Sequence, residues 1–396
     1  MDHLLAVRAR THRASAIREL LLLTERPDMR SLAGGLPGGD RLPVDLLRDA
    51  AAGALTRRGP TGPVALQYAP TEGVAVLREH LAAVTGHPPE EVLVTTGSQQ
   101  ALDLLARVLC DPGDVVVVEE PGYLGALQAF RFAGAALHGV PGDADGLDTD
   151  RLAEVLACGL RPKAVVVTPD FANPTGATLA AGRRTALVML AERYGFLVVE
   201  DDPYGRLRFA GTSHPPIGAP GRPVVRLGTA SKVLAPGLRV GWLTGPPAIV
   251  AALARAKQAA DLHTSALDQL VVLGALTDPR FPAHLAGTVA AYRARARRLV
   301  DALRCRFGDG IELVEPEGGM FVWARFPGID TAAALPGALD AGVAYVPGPA
   351  FAVEPVAHGE RARLSFATLA PTALDEACDR LAGAFRGLPS RAWRDG

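Results

Sequence analysis

Cysteine, lysine and aromatic residues are all scarce in this 396-residue chain, and each scarcity narrows what it can be. Cysteine occurs at Cys110, Cys158, Cys305 and Cys378, with no CxxC pair and no histidine at zinc spacing. That excludes a disulfide framework and a zinc knuckle, and predicts buried thiols in a cytoplasmic protein with no metal. No uninterrupted apolar run approaches the roughly 18 residues of a membrane span. The start, Met1-Asp-His-Leu-Leu-Ala, has no charged segment leading into an apolar one, so no secretory leader is expected. A charge excess is also missing. Forty-one basic and 42 acidic residues leave a net charge of −1, which gives nucleic acid or an anionic membrane no electrostatic footprint. Small soluble ligands suit such a chain better. Apolar residues make up 48%, enough to rule out disorder over most of the length, and the length itself predicts about two domains.

Lysine is present only as Lys163, Lys232 and Lys257, the remaining basic charge being arginine. Lys232 lies in the run Gly228-Thr-Ala-Ser-Lys-Val-Leu-Ala-Pro-Gly-Leu-Arg239. An amine held near neutral pKa by cationic or desolvated surroundings can form a Schiff base, while the hydroxyls of Thr229 and Ser231 and the guanidinium of Arg239 can grip a phosphate. That pattern points to pyridoxal 5'-phosphate (PLP) chemistry. Taken alone, a solvated lysine in a polar turn explains the run equally.

The surroundings decide between the two. Short apolar runs at 92–95, 115–118, 164–167, 196–199, 224–227 and 240–243 alternate with helical patterns at about 98–110, 122–132, 148–158 and 178–194. Runs apolar on both faces predict a mostly parallel, doubly wound α/β sheet covered by helices on both sides, with ligands at the carboxyl ends of its strands. Beyond about residue 246 the pattern changes to long helices, including one at 282–307. Short strands at 311–314, 319–325 and 363–367 then alternate with helices at 331–341 and 372–386, predicting a smaller α+β domain. The glycine-rich stretch 34–43 is too irregular for a helix or strand and is expected to line something.

Five further groups lie near predicted strand ends. In Thr95-Thr-Gly-Ser-Gln-Gln100 a strand meets a glycine and then a helix starting near Ser98, a natural phosphate seat, although an ordinary serine cap reads the same way. Glu119-Glu-Pro-Gly-Tyr123 offers an aromatic ring to a flat heterocycle, and Asn173-Pro-Thr-Gly176 an amide to a phenolate oxygen. Glu200-Asp-Asp-Pro-Tyr204 can set Asp201 against a pyridine nitrogen, keeping it protonated so that the ring withdraws electrons, with Tyr204 on the ring oxygen. Arg363, opening a strand in Arg361-Ala-Arg-Leu-Ser-Phe366, can hold a carboxylate through two parallel hydrogen bonds. Solvated turns and surface ion pairs are the plain alternatives for each group by itself.

In order, these residues resemble the class I/II aminotransferases, PLP-dependent enzymes of fold type I, and most closely the subgroup of 2-aminoadipate and kynurenine aminotransferases. Leu66-Gln-Tyr-Ala-Pro-Thr-Glu-Gly73, Gly97-Ser-Gln-Gln-Ala-Leu-Asp103, Val199-Glu-Asp-Asp202, Lys257-Gln-Ala-Ala-Asp-Leu-His-Thr264 and Gly318-Gly-Met-Phe-Val-Trp323 carry the resemblance beside the Lys232 run. It implies that Lys232 forms the internal aldimine and moves the proton. It also implies that Asp201 holds the ring nitrogen, Asn173 and Tyr204 the ring oxygen, and Tyr123 the ring face. Ser98, Gln99, Thr229, Ser231 and Arg239 are then expected around the phosphate, joined by Tyr68 from a second subunit of a homodimer. Arg363, with backbone near Gly34 and Gly35, is expected to bind the carboxylate of both the amino acid and the 2-oxo acid in a ping-pong cycle. The resemblance further implies a covering arm at 1–40, a large PLP-binding domain at 41–280 and a small domain at 281–396.

Substrate choice stays open at this level. Ala14-Ser-Ala-Ile-Arg-Glu-Leu20 resembles the subgroup's covering helix, so Arg18, with Ser15 beside it, is a candidate for a distal carboxylate, against the alternative of a solvated surface helix. Asp170, where the subgroup carries an uncharged residue, instead favours a cationic, guanidino-type or other non-proteinogenic substrate. Oxidases, decarboxylases and β-lyases share Lys232 and Asp201 on this fold. Related transcription regulators require a DNA-reading domain ahead of it, for which roughly 30 residues leave no room.

Overall fold

The computed structural model describes residues 2–11, 28–60, 62–354 and 357–386. Its centre is an eight-stranded sheet of β1 (Val92–Thr95), β2 (Val115–Glu120), β3 (Ala136–Asp143), β4 (Gly146–Leu147), β5 (Ala164–Val167), β6 (Leu197–Asp201), β7 (Val224–Thr229) and β8 (Gly241–Thr244). The spatial order is β1-β8-β7-β6-β5-β2-β3-β4. β7, β6, β5, β2 and β3 run parallel, β8 runs against both its neighbours, and β4 closes a hairpin on β3.

The valine runs explain the layering. Successive strand side chains alternate faces, so Val116, Val118, Val166, Val199 and Val225 meet Leu102, Leu105, Leu127, Phe130 and Leu253 on one side. Val117, Val165, Val167, Val198 and Val224 meet Leu152, Leu156 and Leu187 on the other. The first layer comes from α3 (Ser98–Leu109), α4 (Leu124–Phe132) and α7 (Pro247–Asp261), and the second from α5 (Thr149–Ala157) and α6 (Ala181–Tyr194). Full burial contributes about 1.5–3 kcal/mol per valine, and only a sheet covered on both faces collects it from every residue of a run. Gly195, at φ 74, ends α6 in the left-handed conformation and turns the chain directly into β6, which carries Asp201.

Three features depart from the sequence expectation. β3 was not marked by its sequence, Ala136-Leu-His-Gly-Val-Pro-Gly-Asp143, which holds two glycines and a proline; it forms because β2 offers it a full parallel ladder near the sheet edge. α1 (Val44–Thr56) and α2 (Ala75–Thr85), ahead of the first predicted strand, pack with α8 (Ala266–Thr277). Of the cysteines, Cys110 and Cys378 are buried as expected, but Cys158 and Cys305 are exposed. Cys158 sits past the end of α5, and Cys305 faces away from buried Leu303 and Phe307 on α9 (Phe281–Phe307).

The C-terminal part folds as predicted in type. β9 (Glu312–Leu313), β10 (Phe321–Arg325), β11 (Val346–Pro347) and β12 (Arg361–Ser365) form an antiparallel sheet in the order β9-β10-β12-β11. α10 (Thr331–Asp340), α11 (Pro371–Arg386) and α9 pack around it, and Phe307 of α9 and Phe385 of α11 meet Phe326 and Tyr345 edge to face. One apolar cluster runs from Leu46 and Leu77 through Tyr292 and Leu299 to Phe385, so the two parts share a continuous core. Among the described residues no helix is long and apolar enough to cross a membrane.

Candidate active site

The carboxyl ends of β1, β5, β6 and β7 and the amino end of antiparallel β8 meet at one edge of the sheet, and the loops there carry most of the predicted residues. Two correct the expected placement. Asp201 and Thr229 are the last residues of β6 and β7 rather than lying just past their ends, which fixes their side chains by sheet register.

Backbone forms much of the anion seat. Gly97, at φ 80 and ψ 164, leads into α3 with no side-chain cap, leaving the first N–H groups of that helix free to face an anion. A Cβ on Gly97 would lie 2.5 Å from Nη2 of Arg239, and one on Gly241 2.7 Å from the Ser98 nitrogen, so glycine at both positions allows the walls to meet. Arg239 is itself left-handed at φ 51 and donates to the carbonyls of Pro236 at 3.2 Å and Thr96 at 3.4 Å. Thr229 donates from Oγ1 to Ser231 Oγ at 3.0 Å and accepts from the Ser231 N–H at 3.1 Å. Gln99 donates to the Gly125 carbonyl at 2.9 Å and accepts from the Tyr123 hydroxyl at 3.3 Å.

Beside this seat lie the titratable groups. Lys232 donates from Nζ to the Gly35 carbonyl at 2.7 Å; burial, with Arg363 and Arg239 adding, pulls its amine down to about 8. Asp201 is 3% exposed, and burial, reinforced by Asp202 and opposed by Lys232, pushes its carboxyl up to about 7. Its Oδ1 is buried with no partner among the described residues, a costly state for a carboxylate unless a cationic donor meets it. Burial keeps the phenols of Tyr123 and Tyr204 protonated, Tyr123 up to about 12. Asn173 is hydrogen-bonded to the Tyr204 hydroxyl and accepts from Arg363 Nη1 at 2.9 Å.

Arg363 is 2% exposed and has no carboxylate partner among the described residues. It donates from Nη2 to the Ala33 carbonyl at 2.6 Å and stacks over Phe321 at 4.1 Å and Phe351 at 5.1 Å. Burial lowers its pKa to about 10. A buried guanidinium satisfied on one side by neutral acceptors is ready for an incoming carboxylate.

Several contributors were not singled out from sequence. Phe321 and Phe351 both lie against the Arg363 guanidinium, and no pattern reveals that. Glu120 accepts from the Val353 N–H at 2.7 Å and pairs with His358 Nε2 at 2.7 Å, tying the Tyr123 turn to the segment before β12. Glu119 accepts from the Thr168 N–H at 2.9 Å, and burial pushes its carboxyl up to about 8. A half-buried acidic pair at a strand end reads in sequence as a solvated turn.

Other expectations fare differently. Asp170 does not offer a free carboxylate: it is bound by Arg208 at 2.6 Å and Arg184 at 3.1 Å, all three side chains at most 12% exposed. Its charge is consumed by two arginines of its own chain. Arg18 and Ser15 lie outside the described residues. Tyr68 is 80% exposed, edge-on to His263 at 5.7 Å.

A cationic amine depressed toward neutrality, a buried carboxyl lacking a partner, an anion seat and a carboxylate clamp together suit PLP and an amino acid. The residues present fit that cofactor: Oδ1 of Asp201 matches a protonated ring nitrogen and the Gly97 to Arg239 cradle matches a phosphate. The comparisons agree. The family described as aminotransferase class I and II matches residues 46–381. The chain is 42% identical to the 2-aminoadipate transaminase of Thermus thermophilus over 95% of its length and 94% of the relative's, and 40% identical to aromatic-amino-acid aminotransferase 1 of Thermococcus litoralis over 93% and 91%. Its fold superposes at a TM-score of 0.89 on an α-aminoadipate aminotransferase of Thermus thermophilus solved with N-(5'-phosphopyridoxyl)-L-leucine, at 39% identity and 98% coverage of both chains. The chain belongs to the class I and II aminotransferases. It is an enzyme of fold type I that uses PLP to move an amino group between an amino acid and a 2-oxo acid.

Proposed function

We propose that Lys232, Asp201 and Arg363 form the working centre of this aminotransferase, and that its amino donors carry acidic or aromatic rather than cationic side chains. The arrangement of a pulled-down amine, an unmatched buried carboxyl oxygen and a free guanidinium edge carries the first part. The consumption of Asp170 by Arg184 and Arg208 carries the second, together with the 2-aminoadipate and aromatic-amino-acid activities for which the relatives are named.

PLP, when bound, supplies an electron sink for the bonds at the substrate Cα. The chain supplies the rest. Ser98 and Gln99 at the start of α3, with Thr229, Ser231 and Arg239, hold the phosphate. Asp201 keeps the ring nitrogen protonated, Tyr204 and Asn173 donate to the ring oxygen, and Tyr123 covers the ring face. Arg363, with backbone at Gly35, fixes the α-carboxylate, and so orients the Cα–H bond toward Lys232. Near neutrality, Lys232 Nζ takes that proton, because its amine is pulled low enough to be a base at working pH.

We assign the cofactor-binding body to 41–280 and the small domain to 281–396. We further assign a homodimer in which Tyr68 reaches the partner's phosphate, supported by the exposure of Leu66, Tyr68 and Leu262 at 68%, 80% and 53%. Four free thiols, two of them exposed, support a cytoplasmic setting. Arg18 is the candidate for a distal carboxylate.

The test is to mix the yellow PLP-loaded enzyme with 2-aminoadipate, glutamate, an aromatic amino acid and arginine in turn. Acidic or aromatic donors should bleach the bound cofactor to the pyridoxamine form, and a 2-oxo acid should restore it. A preference for arginine would overturn the substrate assignment, and ammonia release without an acceptor would overturn transamination.

A further inference from the structure

Resting on the PLP assignment above, we infer that Lys257, acting through Gln100 and Thr96, is a positioning residue that sets the shape of the phosphate seat. Lys257, on α7, is fully buried, whereas its partner Asp261 keeps 28% of its side chain exposed. Lys257 Nζ donates to both Asp261 oxygens, at 2.7 and 2.9 Å, and to Gln100 Oε1 at 3.1 Å. Gln100 is the pivot. Its Nε2 donates to Asp261 Oδ2 at 2.6 Å, while its Oε1 accepts from the Thr96 N–H at 2.8 Å.

Thr96 is thereby held at every polar atom. Its hydroxyl donates to Asp261 Oδ2 at 3.0 Å and meets Thr264 Oγ1 at 3.2 Å, and its carbonyl accepts from Arg239 Nη2 at 3.4 Å. The next residues are Gly97 and Ser98, which present the helix-start N–H groups to the anion. A desolvated ammonium is costly, and tying α7 to α3 could be done by apolar side chains. What the charged network does in addition is orient the residue immediately before the seat and, through its carbonyl, one of the two terminal nitrogens of the Arg239 guanidinium opposite it. The run Lys257 to Thr264 thus takes a role through the seat rather than through substrate.

The discriminating measurement compares PLP with pyridoxal, which lacks the phosphate, by absorbance titration of the cofactor-stripped protein. Lys257→Met removes the charge and leaves Asp261 to solvent, Gln100 and Thr96. Gln100→Leu removes the pivot and leaves the ion pair intact. Both should raise the Kd for PLP by about 10- to 100-fold, the effect of losing hydrogen bonds organised around a charged group, with the Kd for pyridoxal within about threefold of the parent value. An equal loss for both ligands would show a merely structural role and overturn the inference, as would no loss for either. If Lys257→Met does not fold, Gln100→Leu decides by the same criterion. A parent protein that binds PLP no better than pyridoxal would instead overturn the PLP assignment, and the inference with it.

Discussion

Replacing Arg363 with lysine separates charge from geometry at the carboxylate clamp. The two Nη atoms carry four N–H groups; Asn173 Oδ1 and the Ala33 carbonyl take one each, leaving one on each nitrogen for a substrate carboxylate. A lysine ammonium has three donors. If two satisfy the same acceptors, one remains for substrate, so the variant keeps the positive charge but loses one charge-assisted hydrogen bond. Such a bond contributes about 1.5–3 kcal/mol, which corresponds to about a 10- to 150-fold fall in kcat/KM. The carboxylate is held throughout the reaction, so the loss should fall mainly on KM. PLP affinity should be unchanged, because Arg363 is not part of the phosphate seat. Steady-state kinetics and cofactor titration on the same preparation measure both quantities. A fall in kcat/KM below about threefold, or a parallel loss of PLP, would refute the assignment of Arg363 to the carboxylate.

Asp201→Asn should retain PLP in the phosphate seat but lower the amino-transfer rate by about 10²- to 10³-fold, the usual effect of removing an electrostatic stabiliser, as read by single-turnover absorbance. The amine of Lys232 is depressed from 10.5 to about 8, so PLP capture by the stripped enzyme should accelerate as pH rises through about 8 and level off above it, in stopped-flow traces. The same shift has a stability sign: between about 8 and 10.5 the unfolded chain holds the extra proton, so the burial cost of Lys232 is full below about 8 and fades with rising pH. Lys232→Met should therefore melt higher than the cofactor-stripped parent below that pH. Asp170→Asn, which leaves Arg184 and Arg208 short of their shared carboxylate, should cost about 3 kcal/mol in denaturant unfolding without changing the order of amino donors. A changed preference for arginine would return Asp170 to the substrate site.

Sequence by itself determined the chemistry and the layered fold of this protein, because both are written locally. Valine runs of strand length specify a doubly covered sheet wherever they pair, and the Lys232 run, Asp201 with Tyr204, and Asn173 keep their spacing whatever surrounds them. Tertiary structure decided what those groups experience. β3 exists because β2 offers it a ladder, although its own glycines and proline argue otherwise. Asp170 looks like a free acid in the chain and is bound by two arginines in the fold. The approach of Phe321 and Phe351 to Arg363, the Oδ1 of Asp201 without a partner among the described residues, and the buried Lys257 network all depend on residues far apart in sequence. Burial and pairing are properties of the packed chain, so the shift that leaves part of an amine unprotonated near neutrality arises only when distant segments close around it.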